Sequence, residues 1–120
     1  MLYHWRAWEN IKKTWNKELS YEFGFWGVND NSDALLKLIN DKYPNAKLVD
    51  VFDLFKKIKA YGIESKHPLE VGKRVSQSNY YIIVTAYLAS RVANDIFEKC
   101  GFDISKAFLC ERDFVTKNDL

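Results

Sequence analysis

The sequence predicts an α/β fold, with helices on both faces of a mainly parallel sheet of four or five strands. Residues 21–28 (YEFGFWGV) form an apolar strand pattern, and a polar turn separates it from a helical run. Residues 80–85 (YYIIVT) are continuously apolar, as in a strand covered on both faces, and a second helical run follows at 88–99. With residues 47–52 (KLVDVF) as a third strand, this alternation indicates parallel pairing through right-handed crossovers. We expect the three strands to be adjacent, with the first, over 23–28, in the middle.

An amphipathic helix is predicted roughly over residues 2–19, ahead of the first strand. We therefore divide the chain into an N-terminal helix, residues 1–20, and a sheet domain, residues 21–120. The helix has one apolar face with steps of three and four residues, and charged side chains lie opposite. Trp8 and Trp15 are expected to be largely buried, in the chain's own core or in a homodimer, or else to meet a partner domain. The apolar face consists of Leu2, Trp5, Trp8, Ile11, Trp15 and Leu19.

The remaining elements follow from capping and breaking residues. Asp30 or Ser32 is expected to cap the helix after the first strand. Residues 54–61 are predicted to form a short helical turn or loop, and residues 69–79 a polar connector. Residues 107–110 are predicted to be a last short strand, which brings the sheet to at least four strands.

The composition is that of one globular domain with little net charge. The 120 residues are 48% apolar and 28% charged, and the net charge of +2 is too small to indicate nucleic acid or an acidic membrane as a partner. The charged N-terminal segment does not resemble a signal peptide, so the expected location is the cytoplasm. Cys100 and Cys110 are expected to be reduced thiols, and neither has a nearby histidine that would indicate a metal site.

The turn after the first strand is the candidate phosphate-binding site. A dinucleotide-binding unit usually carries G-x-G-x-x-G at this position, whose second glycine lets the backbone approach a pyrophosphate. Here only the first glycine is present, and two aspartates in or beside the same turn would repel a phosphate. Capping of the helix is the alternative role. The candidate phosphate-binding residues are Gly27, Asn29, Asn31 and Ser32.

Two further candidates follow the other strands. Asp53 ends the second strand, where it either accepts the ribose hydroxyls of a nucleotide or forms a turn. Thr85 ends the third strand at the same predicted edge. The lysines over 56–59 alternate with aromatic residues, which is typical of a nucleic-acid surface but also of a solvated helical face. His67 is expected to be an exposed histidine, and no arrangement of catalytic residues is recognisable.

Several segments resemble the Rossmann-like domains of bacterial surface-polysaccharide and nucleotide-sugar enzymes. The resemblance implies a nucleotide or nucleotide-sugar ligand, with Gly27 at the phosphate turn and Asp53 at a ribose. The segments that carry it are residues 25–27 (FWG), 51–53 (VFD), 62–63 (GI), 67–70 (HPLE), 80–85 (YYIIVT) and 97–102 (FEKCGF).

The sequence therefore predicts a three-layer Rossmann-like fold with an extra N-terminal helix, and it leaves three functions open. The first is a nucleotide- or nucleotide-sugar-binding domain of bacterial surface-glycan biosynthesis. The second is a domain whose phosphate turn is degenerate and which acts as a protein-interaction or structural module. The third is a small stand-alone enzyme, which would need a pocket that gathers Asp53, His67 and a loop acid.

Overall fold

The computed structural model describes residues 4–87 and 89–110, without the Ser90 side chain, as a three-layer α/β structure. None of the helices in this part has the length and apolar character needed to cross a bilayer. The helices are α1 (His4–Thr14), α2 (Asp30–Lys42) and α3 (Ser90–Cys100), with 3-10 helices at Pro68–Arg74 and Ile104–Lys106. The strands are β1 (Tyr21–Trp26), β2 (Ala46–Phe52), β3 (Lys59–Ala60), β4 (Ile63–Glu64), β5 (Tyr80–Val84) and β6 (Ala107–Leu109).

The central sheet has four parallel strands in the order β2-β1-β5-β6. β1 lies between the other two predicted strands, so the expected architecture is confirmed. The chain moves from β1 to β2 in one direction through α2, and from β5 to β6 in the other through α3. The strand order thus reverses between β1 and β5, and the carboxyl ends of these strands form the crevice in which open α/β sheets bind ligands.

Each face of the sheet is covered by its own apolar layer. On one face, α1 and α2 pack over a core that includes Phe23 and Phe25 of β1. On the other face, α3 and the 3-10 helix Pro68–Arg74 pack over a core that includes Trp26 and Phe52. Neighbouring residues of β5 alternate between the two cores, which explains why this strand is continuously apolar in sequence.

The N-terminal helix is shorter than predicted but buries the expected tryptophans. It ends at Thr14, because the Asn16 side chain accepts a hydrogen bond from the Glu18 N–H at 2.9 Å and so directs the chain into a turn. Trp8 and Trp15 are only 6% and 5% exposed within the chain's own core, which confirms their expected burial. Trp5 and Leu19 of the predicted face are exposed, and Leu2 lies outside the described residues.

Residues 54–61, predicted to be a short helical turn or loop, form a loop over residues 54–58 and then a strand. Residues 59–60 are β3 and pair antiparallel with β4. The connecting residues Tyr61 and Gly62 have φ values of 55° and 76°, and a two-residue turn with two positive φ angles matches the twist of paired strands. The glycine in the second position of the turn adopts a positive φ readily. The lysine-rich sequence before the turn shows no strand pattern, so β3 could not be recognised from it.

A buried carboxylate fixes the segment after β4 against the sheet. Asp50 of β2 is 1% exposed and accepts hydrogen bonds from Lys66 Nζ at 3.0 Å, Arg74 Nε at 3.0 Å and the Tyr80 hydroxyl at 2.9 Å. The Lys66 backbone also bonds to β2, with its N–H donating to the Val51 carbonyl at 2.9 Å. This cluster places residues 66–74 beside the carboxyl end of β2, and therefore beside the crevice.

Candidate functional site

A pocket opens at the carboxyl ends of β1, β2 and β5, where the strand order reverses. Its volume is about 250 Å³, which is below the ~300–1,000 Å³ of sites for drug-sized ligands. The pocket therefore suits a ring system with a small polar substituent rather than an extended molecule. It is lined by Trp26, Gly27, Phe52, Asp53, Leu54, Phe55, Ala86, Tyr87, Ala89 and Val92.

Aromatic side chains form both the floor and the rim of this pocket. Trp26 and Phe52 are buried in the core below it. Phe55 and Tyr87 line the pocket although they are 91% and 70% exposed. Large aromatic side chains that stay exposed beside an apolar pocket are a typical surface for stacking against a planar ring.

Asp53 supplies a carboxylate at the pocket wall. Its Oδ1 accepts hydrogen bonds from the backbone N–H groups of Phe55 and Lys56, both at 2.9 Å, so the predicted turn-forming role is present. Its Oδ2 has no hydrogen-bond partner among the residues that the structure describes. Because the turn uses one oxygen and leaves the other, the two roles predicted for Asp53 are compatible.

The glycine after β1 is required by the close approach of β5. Gly27 has φ of 106°, and a Cβ at this position would lie 2.5 Å from the backbone nitrogen of Ala86. The conformation of Gly27 ends β1 at Trp26, earlier than predicted. The Thr85 hydroxyl donates to the Gly27 carbonyl at 2.6 Å, so this predicted site residue joins the ends of β1 and β5.

The N-terminus of α2 is capped by Asn29, not by Asp30 or Ser32 as predicted. The Asn29 side-chain oxygen accepts the N–H groups of Asn31 at 2.9 Å and Ser32 at 3.2 Å. The Ser32 hydroxyl oxygen in turn accepts the Asn29 N–H at 2.9 Å, which completes a capping box. Asn29 Nδ2 also donates to the Thr85 carbonyl at 2.8 Å, so the cap is tied to the end of β5.

Tyr61 from the β3–β4 turn closes over this cap. Its hydroxyl donates to Asp33 Oδ1 at 2.6 Å and lies 2.7 Å from the Ser32 hydroxyl. Burial, followed by the hydrogen bond to Asp33, raises the pKa of Tyr61 to about 12. The Tyr61 hydroxyl therefore stays protonated at neutral pH and covers the first turn of α2.

A second cleft of about 410 Å³ shares the segment 53–55 with this pocket. It brings Asp53, His67 and Glu70 into one concavity, which is the arrangement that the stand-alone enzyme hypothesis requires. Their bonds are local, however: His67 Nδ1 accepts the Leu69 N–H at 3.1 Å, and Glu70 pairs with Lys73 at 2.9 Å. His67 thus begins a 3-10 helix, and the interactions are those of a cap and a surface ion pair.

Other reactive side chains do not form a site in the described part of the chain. Cys100 is partly buried and Cys110 is buried, and neither forms a disulfide with another described residue. Within residues 4–87 and 89–110, no three histidine, cysteine or acidic side chains are grouped as a metal site would require.

The six predicted site residues lie at one sheet edge but divide into two groups. Gly27 and Asp53 line the pocket. Asn29, Asn31, Ser32 and Thr85 belong to the cap of α2 and its tie to β5. Sequence reasoning assigned no ligand contact to Phe55 and Tyr87. They follow the predicted ends of the second and third strands by three and two residues, which places them at this sheet edge but does not indicate that they are exposed.

No family model matches the sequence, and no curated protein matches it. Among solved structures, the chain is similar to one described as the crystal structure of RSP, a Rex-family repressor. The sequence identity is 17% and the TM-score 0.56, over 92% of this chain and 55% of the other. This chain thus spans about half the length of that protein, and the likeness supports the Rossmann-like fold of the sheet and its helices.

Proposed function

We propose that this domain binds a nucleotide or nucleotide sugar, with the base between Phe55 and Tyr87 and the ribose at Asp53. The observation that carries the proposal is the aromatic rim of an apolar pocket at the point where the strand order reverses. The Asp53 oxygen that the turn leaves unbonded is the acceptor for the ribose hydroxyls. The volume of about 250 Å³ supports a nucleoside as the enclosed part of the ligand.

We also propose bacterial surface-glycan biosynthesis in the cytoplasm as the biological setting. The support for this setting is the sequence resemblance of the segments that end β1 and β2 and begin the 3-10 helix Pro68–Arg74. If it is right, a sugar attached to the diphosphate will increase affinity. Calorimetric titrations with UDP-, GDP- and dTDP-linked hexoses, each against the parent diphosphate, measure that increase.

Titration calorimetry with nucleosides and nucleotides tests the binding proposal. Phe55→Ala and Tyr87→Ala should each weaken binding of the best ligand by ~1–3 kcal/mol, or about 5- to 150-fold, because each removes one stacking surface. Trp5→Ala is the matched control, since Trp5 is 60% exposed but lies on α1, away from the pocket lining. Absence of binding at millimolar nucleotide, or binding that neither pocket variant weakens, would refute the proposal.

The second candidate is a protein-interaction module, and the capped turn is the observation in its favour. Asn29 already bonds the N–H groups that a phosphate would use, which is expected of a domain that has lost its phosphate site. In that case Phe55 and Tyr87 would contact a partner protein. Of the three tryptophans on the apolar face of α1, Trp8 and Trp15 are buried and Trp5 is exposed. A melting temperature that no nucleotide raises would favour this candidate over the first.

A further inference from the structure

The usual phosphate position at the start of α2 is filled by the chain's own side chains. Asn29 Oδ1 occupies the N–H groups of Asn31 and Ser32, which are the donors that a bound phosphate oxygen would meet. The Tyr61 hydroxyl, 2.7 Å from Ser32 Oγ, covers the same turn. A phosphate here would have to displace both the amide oxygen and the tyrosine.

The charge at this helix end also opposes a phosphate. Asp30 and Asp33 both lie in the first turn of α2. Both carboxylates and phosphates are attracted by the positive end of the helix dipole. The two aspartates already supply negative charge there and leave less attraction for a phosphate. The diphosphate of a nucleotide held in the pocket must therefore lie elsewhere.

The cleft beside the pocket offers the opposite charge. The segment 53–55 lines both spaces, so the cleft adjoins the pocket. Lys56 and Lys57 line the cleft, and neither ammonium group has an ion-pair partner within residues 4–87 and 89–110. Phosphate oxygens are strong acceptors for such ammonium groups.

Two of the other charged groups of the cleft are already paired, whereas Asp53, which also lines it, keeps one oxygen without a hydrogen-bond partner among the described residues. Lys66 bonds to the buried Asp50 at 3.0 Å, and Glu70 bonds to Lys73 at 2.9 Å. Because His67 Nδ1 accepts the Leu69 N–H, Nε2 is the ring nitrogen that can donate to a ligand. The cleft therefore combines the unpaired ammonium groups of Lys56 and Lys57 with the Asp53 carboxylate that we assign to the ribose.

We propose that this cleft is the phosphate subsite of the domain, with Lys56 and Lys57 binding the diphosphate in place of the α2 N-terminus. The inference rests on the proposed nucleotide function and specifies how that ligand is oriented. It assigns the base to the pocket and the phosphates to the adjoining cleft.

The test compares a nucleoside with its diphosphate on the whole chain. Uridine with UDP and adenosine with ADP are titrated by calorimetry, and the pair that binds more tightly is kept. The double variant Lys56→Gln/Lys57→Gln should weaken binding of the diphosphate about tenfold, because two charge-assisted contacts are lost. Binding of the nucleoside should stay within about twofold of the original chain.

The matched control is Lys42→Gln/Lys47→Gln, which removes the same charge at the end of α2 and the start of β2, the opposite edge of the sheet. It should leave both affinities unchanged. Raised salt should reduce the advantage of the diphosphate over the nucleoside in the original chain.

The outcomes separate this inference from the function on which it rests. Equal affinity for nucleoside and diphosphate, or loss of affinity in the control variant alone, overturns the phosphate subsite while nucleoside binding stands. Selective loss of diphosphate affinity in Arg91→Gln, on the first turn of α3, would place the phosphates there and also overturn it. Absence of binding for all four compounds refutes the nucleotide function and the subsite with it.

Discussion

Replacing Asp50 with alanine tests how the wall of the cleft is held in place. Asp50 accepts hydrogen bonds from three side chains: Lys66 through Nζ, Arg74 through Nε and Nη2, and Tyr80 through its hydroxyl. Lys66 and Arg74 belong to the segment beside the crevice, and Tyr80 begins β5. The substitution leaves all three donors facing an apolar gap over β2.

The expected loss is ~3 kcal/mol of unfolding free energy. Breaking a buried ion pair by removal of one partner costs ~3–5 kcal/mol. The lower end applies because the Lys66 and Arg74 side chains are 44% and 30% exposed, so water can rehydrate them. The buried Tyr80 hydroxyl cannot be rehydrated in the same way. Tyr80→Phe, which removes only one neutral donor, should cost ~0.5–1.5 kcal/mol.

Urea unfolding followed by far-UV circular dichroism measures both variants. At a slope of ~1.5 kcal/mol per molar urea, Asp50→Ala should lower the midpoint by about 2 M, and Tyr80→Phe by less than about 1 M. If Asp50→Ala lost less than about 1 kcal/mol, or no more than Tyr80→Phe, the cluster would not hold the segment as described.

The same cluster predicts a dependence of stability on acid. Burial alone raises the pKa of Asp50, but the hydrogen bonds from Arg74, Lys66 and Tyr80 outweigh burial and hold that pKa below its usual value. The stabilising contribution is therefore present above the pKa of the unfolded carboxyl, ~3.9, and is lost as the pH falls through the lower folded value. The difference in unfolding free energy between the original chain and Asp50→Asn should shrink over that window.

Three further predictions concern the crevice and the core. Gly27→Ala should unfold the domain or destabilise it by more than ~2 kcal/mol, because its Cβ would lie 2.5 Å from backbone at a positive φ; Gly101→Ala, with positive φ but open space, should lose only ~1 kcal/mol in the same thermal melt. Because the pKa of Tyr61 is raised to about 12, its contribution to stability should be complete below pH ~10 and lost as the pH rises through about 12. In alkaline thermal melts, the stability of Tyr61→Phe should therefore fall less with rising pH than that of the original chain, because phenylalanine has no hydroxyl to ionise. Trp8→Ala should cost ~3–5 kcal/mol without changing the sedimentation coefficient, whereas Trp5→Ala should stay within ~0.5 kcal/mol.

The fold could be predicted from the sequence because its strongest signals are periodic and local. The continuous apolar run of β5, the helical spacing of α2 and the glycine after β1 each indicate one structure. The β3–β4 hairpin was missed since two-residue strands are too short for any period to be visible. The end of α1 was missed because the Asn16 side chain, a feature of one residue, overrides the helical pattern.

The site could be predicted only in part, for a different reason. Strand ends identify the sheet edge, and so Gly27 and Asp53 were found at the pocket. The exposure of Phe55 and Tyr87, however, depends on whether residues distant in sequence pack over them. No local sequence pattern indicates such packing. The sequence likewise shows Asn29 in place of a glycine, but only the three-dimensional structure shows its side chain on the donors of the turn.

Amide chemical-shift mapping of the isotope-labelled chain with UDP and ADP tests nucleotide binding in the pocket most directly. We expect the largest shifts together at Gly27, Asp53 and Tyr87, which line the pocket from three different strand ends. Shifts at Ser32, within the closed cap of α2, should be smaller. A response largest at Ser32 and its neighbours, or none at saturating nucleotide, would contradict nucleotide binding between Phe55 and Tyr87.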